Sequence, residues 1–179
     1  APDEAKTTHP ALVGAVIRYF RRRGAQVRVG DSPANVCDLE RVWAKTGIAE
    51  VCAREQVELV NFENAGSESF TRNGFTFTLA RPVLDADMVI SLPKVKTHVL
   101  TLLTGAVKNL YGCIPGLQKT ALHKAYPHPA DFHALLAALY EVVRPGLAIA
   151  DGIVGMEGDG PTAGSPRVLG FLAASPDAA

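Results

Sequence analysis

Hydrophobic residues recur along the chain with two spacings, one typical of helices and one typical of short strands. Residues 10–23 begin with Pro10 and place apolar side chains on one helical face, and Gly24 follows as a terminator. Residues 25–29 come directly afterwards and have the alternation of a short strand. A helix joined to a strand by such a short connection is typical of α/β proteins.

The rest of the chain continues this rhythm. We predict further helices at 35–46, 48–54 and 129–143, and further strands at 57–62, 88–92, 147–150 and 167–173. Residues 70–78 predict a β-hairpin, because Asn73 and Gly74 can supply the positive φ angles of a two-residue turn. The expected fold is a mainly parallel, Rossmann-like sheet flanked by helices, with the hairpin inserted at one edge. No repeat or linker divides the chain, so residues 1–179 are expected to form one α/β domain.

The composition is that of an ordinary globular protein without net charge. Hydrophobic residues make up 47% of the 179 residues, and 18 Lys and Arg balance 18 Asp and Glu. This balance argues against general attraction to nucleic acid or to a membrane surface. We find neither a membrane-spanning apolar run nor a signal peptide, and we expect a cytoplasmic protein. Because the chain starts without Met, we also expect it to be a segment of a longer protein.

The three cysteines show no spacing that suggests a shared site. Cys37, Cys52 and Cys113 are far apart in the chain, so neither a redox CxxC motif nor a zinc or iron–sulfur ligand set is present. We expect buried free thiols in a reducing compartment.

Basic residues concentrate in residues 94–128, against this neutral background. The segment contains five Lys and three His and no carboxylate: Lys94, Lys96, His98, Lys108, Lys119, His123, Lys124 and His128. Lys94, Lys96 and His98 alternate, so an extended chain would direct them to one face. The cluster also follows the predicted strand 88–92, and open α/β sheets bind ligands at the carboxyl ends of their strands. We predict a site for an anion or an electron-rich ligand.

Catalytic roles within the cluster are predicted for Lys108, His98 and His123. A desolvated lysine can act as a base or nucleophile, and histidine carries protons near neutral pH. For each histidine alone, a structural or surface role is the alternative. The predicted ligand-binding residues are Lys94, Lys96, Thr104, Gly105, Asn109, Lys119, Asp31, Asp151 and Glu157.

Residues 104–108 combine a hydroxyl, a glycine, backbone amides and a lysine, which are the components of an anion cradle. Their spacing differs from the Walker motif, and the dinucleotide-binding glycine pattern is absent after the first strand.

Three carboxylates are predicted to complete the pocket. Asp31 and Asp151 would follow the strands 25–29 and 147–150, although a turn-forming Asp is the alternative at position 31. Glu157 lies in a glycine-rich stretch that predicts a loop passing close to a ligand or to the basic segment. Carboxylates on such a loop can bind a divalent cation or counter the lysines, but their spacing fits no EF-hand and we predict no metal site.

Several blocks of this sequence resemble the uncharacterised domain of unknown function 362 family. The blocks that carry the resemblance are 7–10, 30–33, 92–98 (LPKVKTH), 104–112 (TGAVKNLYG) and 151–161 (DGIVGMEGDGP), with Lys119 and His123. Members of that family are often joined to a ferredoxin-like domain with two iron–sulfur clusters. The resemblance therefore implies redox work for the parent protein, with cluster ligands outside this chain. The family pattern also continues beyond both ends of the chain, which implies that parts of the site lie there.

A more distant similarity is to the nickel-pincer lactate racemases. Their glycine and lysine turn before a Pro-Gly resembles Gly105 and Lys108 followed by Pro115 and Gly116. The chain differs in having one glycine before the lysine and extra residues before Pro115. The similarity implies a covalent cofactor on Lys108.

Two hypotheses for the function remain open. In the first, an enzyme-like domain binds an anionic small molecule or cofactor against the Lys and His cluster, in a parent protein that performs redox chemistry. In the second, the same basic face is a non-catalytic surface that docks an acidic ferredoxin-like electron-transfer domain.

Overall fold

The computed structural model describes residues 4–32 and 38–177 and confirms the α/β fold. The helices are α1 (Pro10–Arg21), α2 (Leu39–Thr46), α3 (Ile48–Arg54), α4 (Arg81–Leu84), α5 (Ala106–Asn109), α6 (Gln118–Ala125) and α7 (Pro129–Val143), with a 3-10 turn at Leu110–Cys113. The strands are β1 (Arg28–Asp31), β2 (Glu58–Asn61), β3 (Ser67–Arg72), β4 (Phe75–Ala80), β5 (Ile90–Ser91), β6 (Lys94–His98), β7 (Leu102–Thr104), β8 (Leu147–Glu157) and β9 (Ser165–Ser175). No described helix has the length and apolar character needed to cross a membrane.

The predicted helices form, and α1 and α2 have side-chain caps at their first turns. Pro10 opens α1, and the side chain of His9 accepts a hydrogen bond from the Ala11 N–H at 3.1 Å. The predicted helix 35–46 is confirmed from Leu39 onward, where the Asp38 carboxylate caps its first turn. Gly47 closes that helix with φ 75°. Residues 33–37, which include Cys37, lie outside the described residues.

The described strands form three sheets. One is the parallel pair β1–β2, and another is the antiparallel hairpin β3–β4 with Asn73 and Gly74 at its turn. The third has five strands, in which β8 pairs with β9 along one edge and with β5 and then β6 along the other. Strand β7 adds to β6 in the antiparallel direction. The predicted hairpin is thus present, while the Rossmann-like sheet order stays a prediction.

Strand β8 is much longer than the sequence predicted. Its backbone stays extended to Glu157, so Asp151 lies within the strand and not at its carboxyl end, and the glycine-rich loop begins only afterwards. The reason is that glycines permit close strand contacts: a Cβ on Gly155 would lie 2.9 Å from the Val95 carbonyl oxygen, and one on Gly152 would meet the ring of Phe171. The expected close approach to the basic segment is therefore present at Gly155.

Other strand boundaries differ from the prediction in smaller ways. The strand predicted at 88–92 is limited to Ile90–Ser91, and β9 is longer than the predicted 167–173. The strand predicted at 25–29 is shifted to Arg28–Asp31, so Asp31 is its last residue. The predicted position of Asp31 at the end of a strand is therefore confirmed.

Two hydrophobic clusters support these elements. The larger packs α7 against β4 and the 3-10 turn and includes Phe77, Ile114, Phe132, Leu135 and Leu139. The smaller joins α1, α2 and α3 through Val13, Ile17, Leu39, Trp43, Ile48, Val51 and Cys52. Cys52 and Cys113 are buried free thiols, as the sequence predicted. The larger cluster lies next to the basic segment, because it includes residues of the 3-10 turn within that segment and packs them against α7.

Replacing Leu135 with Ala should destabilise the protein. The side chain is fully buried in the larger cluster, so its loss removes transfer energy and leaves a cavity. We expect the free energy of unfolding in urea to fall by about 2–5 kcal/mol. The control is Val99→Ala, at a valine that is 80% exposed, which should change it by less than about 0.5 kcal/mol. Equal effects of the two variants would contradict this description of the core.

Candidate functional site

A buried ion pair connects strands β6 and β8. Lys94 Nζ lies 2.7 Å from Asp151 Oδ2, and the side chains are 4% and 0% exposed. Lys94 Nζ also donates a hydrogen bond to the Val154 carbonyl oxygen at 3.0 Å. Burial favours the neutral acid, but hydrogen bonds from Lys94 and from backbone N–H groups outweigh it, and the pKa of Asp151 is lowered. Lys94 and Asp151 therefore neutralise each other in a buried ion pair.

The segment before α1 contacts the same region. The His9 N–H donates to Asp151 Oδ2 at 2.8 Å, and the Thr8 hydroxyl donates to the Leu92 carbonyl oxygen at 2.6 Å. The next lysine of β6, Lys96, donates from Nζ to the Lys6 carbonyl oxygen at 2.8 Å. The N-terminal segment therefore contacts β6, the residue Leu92 before it, and the carboxylate of its partner strand.

Lys96 and Lys119 lie close enough to Lys108 for their charges to act on it, and we call these three residues the lysine cluster. Lys96 comes from β6, Lys108 from α5 and Lys119 from α6. Lys119 is only 6% exposed, and its Nζ donates to the Ser32 carbonyl oxygen at 3.1 Å and to the Ser32 hydroxyl. Burial is the main cause that lowers the pKa of each lysine, and the pKa of Lys108 is further lowered by the other two cations.

Asp31 is the carboxylate that faces the lysine cluster. It attracts Lys96 and Lys119, and the Ser32 N–H donates to its Oδ1 at 2.7 Å. Asp31 keeps exposed surface but is surrounded by protein atoms, and desolvation raises its pKa. Glu63 also attracts Lys119. These carboxylates do not act on Lys108, so positive charge remains in excess around it.

Lys108 is the lysine with the most unusual surroundings. Its Nζ lies 4.3 Å from the ring centroid of Tyr111 and 5.5 Å from that of Phe132. Burial and the charges of Lys96 and Lys119 lower its pKa to about 8. A substantial fraction of the Lys108 amine is therefore uncharged in mildly alkaline solution.

Two histidines border Lys108. The His123 ring stacks on Phe132 at a centroid distance of 4.5 Å, and His98 Nδ1 accepts a hydrogen bond from the Leu100 N–H at 3.1 Å. Burial, then Lys108, lowers the pKa of both, to about 4 for His98. His98 is therefore neutral at pH 7. Because Nδ1 accepts a bond, its proton is assigned to Nε2.

Thr104 lies directly across from Lys96 in the pairing of β6 with β7. Its hydroxyl is buried and has no hydrogen-bond partner among the described residues. A buried hydroxyl without a partner carries a free-energy cost that a bound ligand can remove. The hydroxyls of Thr7 and Thr97 also lack a partner among the described residues, but Thr104 is the one of the three that pairs with Lys96.

The remaining predicted site residues are placed elsewhere. Asn109 donates to the Ser91 hydroxyl at 3.1 Å, and Gly105 has extended backbone before the four-residue α5. Glu157 is exposed and pairs with Arg167 at 2.7 Å. The exposed members of the basic segment are Lys124 and His128. Seven of the predicted site residues therefore lie near one another: Asp31, Lys96, His98, Thr104, Lys108, Lys119 and His123. Lys94 and Asp151 form an ion pair with a structural role.

The sequence did not predict the aromatic rings that contact Lys108 or the backbone oxygens that accept hydrogen bonds from the lysines. Tyr111 and Phe132 support Lys108, while Ser32 and Lys6 accept bonds from lysines through backbone oxygens. Aromatic residues in helices usually indicate a core, and backbone oxygens leave no trace in a sequence. Tyr111, inside the block 104–112, and Ser32, inside the block 30–33, carried a signal.

Two surface depressions lie away from the lysine cluster. One of about 220 Å³ lies beside Met88 and Arg144, and one of about 280 Å³ lies beside Arg18 and Glu55. In the described part of the chain, no three His, Cys, Asp or Glu side chains are grouped as metal ligands. The lysine cluster is therefore distinguished by its concentration of positive charge.

Replacing Lys94 with Met should destabilise the fold strongly, because Asp151 would remain buried without its cation. We expect a loss of about 3–5 kcal/mol in the free energy of unfolding, measured in urea at pH 7. Arg167→Met is the control, since it breaks the exposed pair with Glu157 and should cost less than about 1 kcal/mol. A similarly small effect of Lys94→Met would contradict the structural role of the pair.

The pH dependence of stability gives a second check on this pair. The folded pKa of Asp151 lies below its ordinary value of 3.8, so its stabilising contribution is complete above that value and is lost as the pH falls through the folded pKa. The difference in stability between the wild type and Asp151→Asn should therefore shrink as the pH falls below about 4. A constant difference between pH 7 and pH 3 would contradict the assignment.

Comparisons with known proteins agree with the sequence blocks. The model of the family described as Domain of unknown function (DUF362) matches residues 1–179. The chain is 35% identical over 181 residues to the thylakoid-associated protein sll1697 of Synechocystis sp. (strain ATCC 27184 / PCC 6803 / Kazusa). That alignment covers 98% of the chain and 55% of the relative, so the chain spans about half the relative's length. No solved structure matches the chain. The similarity to nickel-pincer lactate racemases stays a prediction. Because the family model matches the whole length of the chain, the chain belongs to the family described as Domain of unknown function (DUF362).

Proposed function

We propose that this protein binds an anionic small molecule or cofactor at the lysine cluster. The observation that carries the proposal is the position of Lys108, which is half-buried over the Tyr111 ring and lies under the charges of half-buried Lys96 and buried Lys119. The carboxylates that face these three ammonium groups, Asp31 and Glu63, are fewer than the cations. Like charges held together in a poorly solvated site destabilise the fold unless an anion neutralises them. A bound anion would raise the pKa of Lys108, because it offsets part of the positive charge around the amine.

Each residue of the site has a distinct part in this proposal. The ammonium groups of Lys96 and Lys108 supply charge and hydrogen-bond donors, and the free hydroxyl of Thr104 supplies a neutral donor. Lys119 is already hydrogen-bonded to Ser32, so it supports the site through charge. Neutral His98 can donate from Nε2 or exchange a proton through water. Asp31 limits how much negative charge the site accepts.

A redox setting for the whole protein is part of the proposal. It rests on the resemblance of the sequence blocks to a family whose members are often joined to a ferredoxin-like iron–sulfur domain. Iron–sulfur clusters would be held by residues outside this chain. The identity of the cofactor that binds the lysine cluster is left open, and an anionic redox cofactor fits the charge of the site.

Docking of an acidic ferredoxin-like domain is the second candidate. It is favoured by the exposed basic residues Lys124 and His128 at the margin of the site. The burial of Lys119, however, favours a small ligand, since a docking face needs accessible charges. Binding through an exposed face should weaken sharply by about 0.5 M salt, while a small ligand held among buried lysines should be less sensitive.

The proposed location is the cytoplasm, without nucleic acid or membrane as partners. The name of the Synechocystis relative refers to thylakoids, so association with a membrane surface is the alternative. Fractionation of cells that produce the whole protein distinguishes the two. Recovery in the membrane pellet at low salt would contradict the proposal.

Removing Lys108 should weaken anion binding without unfolding the protein. We expect Lys108→Ala to reduce the affinity for inorganic phosphate or oxalate by about 10- to 100-fold, the value of a hydrogen bond to a charged group. Isothermal titration calorimetry at constant ionic strength measures this change. Lys124→Ala removes an exposed lysine from α6 and should have no effect. Equal affinities of both variants and the wild type, or no binding of either anion to the wild type, would contradict the proposal.

Binding should also depend on pH in a defined direction. Lys108 is protonated below its pKa of about 8 and loses its charge above it. The affinity of the wild type should therefore fall between pH 7 and pH 9, while the affinity of Lys108→Ala should change less. The bound anion will shift the midpoint upward, because it stabilises the charged amine. Parallel pH profiles for the two proteins would remove Lys108 from the site.

A further inference from the structure

Lys108 combines three features that an anion site alone does not require. Its Nζ lies over the rings of Tyr111 and Phe132, and no carboxylate or hydrogen-bond acceptor contacts it among the described residues. An ammonium group that served only as a charge would gain from an acceptor, as Lys96 and Lys119 do. The rings of Tyr111 and Phe132 instead leave the amine without a hydrogen-bond acceptor among the described residues.

The residues around Lys108 have two different chemical roles, anion binding and proton transfer. Lys96 and Lys119 are cations that attract a carboxylate or phosphate group, and Thr104 offers a buried hydroxyl without a partner. His98 and His123 are imidazoles close enough to Lys108 to feel its charge. A substrate anchored by its anionic group would therefore have its adjacent carbon close to an amine and to two proton carriers.

We propose that Lys108 forms an imine with a small anionic carbonyl compound, of the 2-oxo acid class, bound in the lysine cluster. This inference rests on the proposed anion site and adds a covalent step to it. The amine nitrogen forms a bond to the carbonyl carbon, the carbon–oxygen bond breaks, and the oxygen leaves as water with the two protons of the neutral amine. No oxidant, reductant or metal is needed.

The neighbouring groups have assigned parts in this step. Lys96 holds the carboxylate of the substrate, and Lys119 attracts it through charge while its own Nζ stays bonded to Ser32. The charges of Lys96 and Lys119 favour the uncharged form of Lys108. His98 and His123 accept a proton from the nitrogen after attack and return one to the departing hydroxyl, directly or through one water. Asp31 interacts with Lys96 and Lys119 and offsets their charge. It therefore does not stabilise the protonated form of Lys108.

Reductive trapping with pyruvate tests the imine. The folded protein is incubated with pyruvate and sodium cyanoborohydride at pH 8, and the modified lysine is located by peptide mass spectrometry. We expect Lys108 to be labelled about 10- to 100-fold faster than exposed lysines, because far more of its amine is uncharged at that pH. The label should be lost in Lys108→Arg and kept in Lys124→Arg. Prior unfolding in urea should reduce Lys108 to the rate of the other lysines.

Oxalate distinguishes the failure of this inference from failure of the anion site. Oxalate is an anion of similar size that forms no imine, and it should compete with pyruvate and slow labelling. Oxalate binding without preferential labelling of Lys108 would overturn the imine and leave the anion site in place. Absence of both would overturn both. Labelling of Lys108 at the rate of Lys124 would likewise overturn the inference.

Discussion

The ion pair of Lys94 with Asp151 is the interaction on which the arrangement of the site depends. It joins β6 to β8 inside the protein, and the N–H of His9 adds the N-terminal segment to the same carboxylate. With Lys94 neutralised in this way, the next lysine of β6, Lys96, approaches the N-terminal segment and the other lysines. A buried pair of this kind is costly to break and fixes the register of the strand that carries the site.

Beyond this pair, the site departs from the balance of charges found in most of the fold. Exposed ion pairs such as Arg72 with Glu141 have a partner for each cation. Lys108 instead lies on aromatic rings near other cations, where burial works against its charge. Such an arrangement is stable only if the amine loses its proton or if an anion joins it. Both outcomes are chemically useful, and they connect the binding site to the proposed imine.

The sequence predicted α1, α2, α3 and α7 because they depend on local patterns, such as the apolar spacing and Pro10 that located α1, while α4, α5 and α6 were not predicted. The alternation of Lys94, Lys96 and His98 predicted a shared face for an extended chain, and the chain forms β6 there. The length of β8 could not be predicted, since its glycines normally indicate a loop and become strand only through contacts with Phe171 and the Val95 carbonyl oxygen.

The pairing of charged side chains within the site could not be predicted from the sequence either. Asp151 and Lys94 are far apart in the chain, and nothing local distinguishes a lysine paired with a carboxylate from one left among cations. The predicted pocket therefore included Lys94, Asp151 and Glu157, while the structure gives the first two to each other and pairs Glu157 with Arg167. Tyr111 and Phe132 were missed because an aromatic residue that supports an amine has the same spacing as one that fills a core.

The protonation of Lys108 tests the central claim most directly. Carbon-13 NMR of the lysine Cε groups, with the Lys108 signal assigned by its loss in Lys108→Arg, gives the pKa of this residue in the folded protein. The account predicts a midpoint near 8 without ligand, against the ordinary value of 10.5, and a rise when oxalate is added. A midpoint near 10.5 that oxalate leaves unchanged would mean that Lys108 is an ordinary solvated lysine, and would contradict both the anion site and the imine.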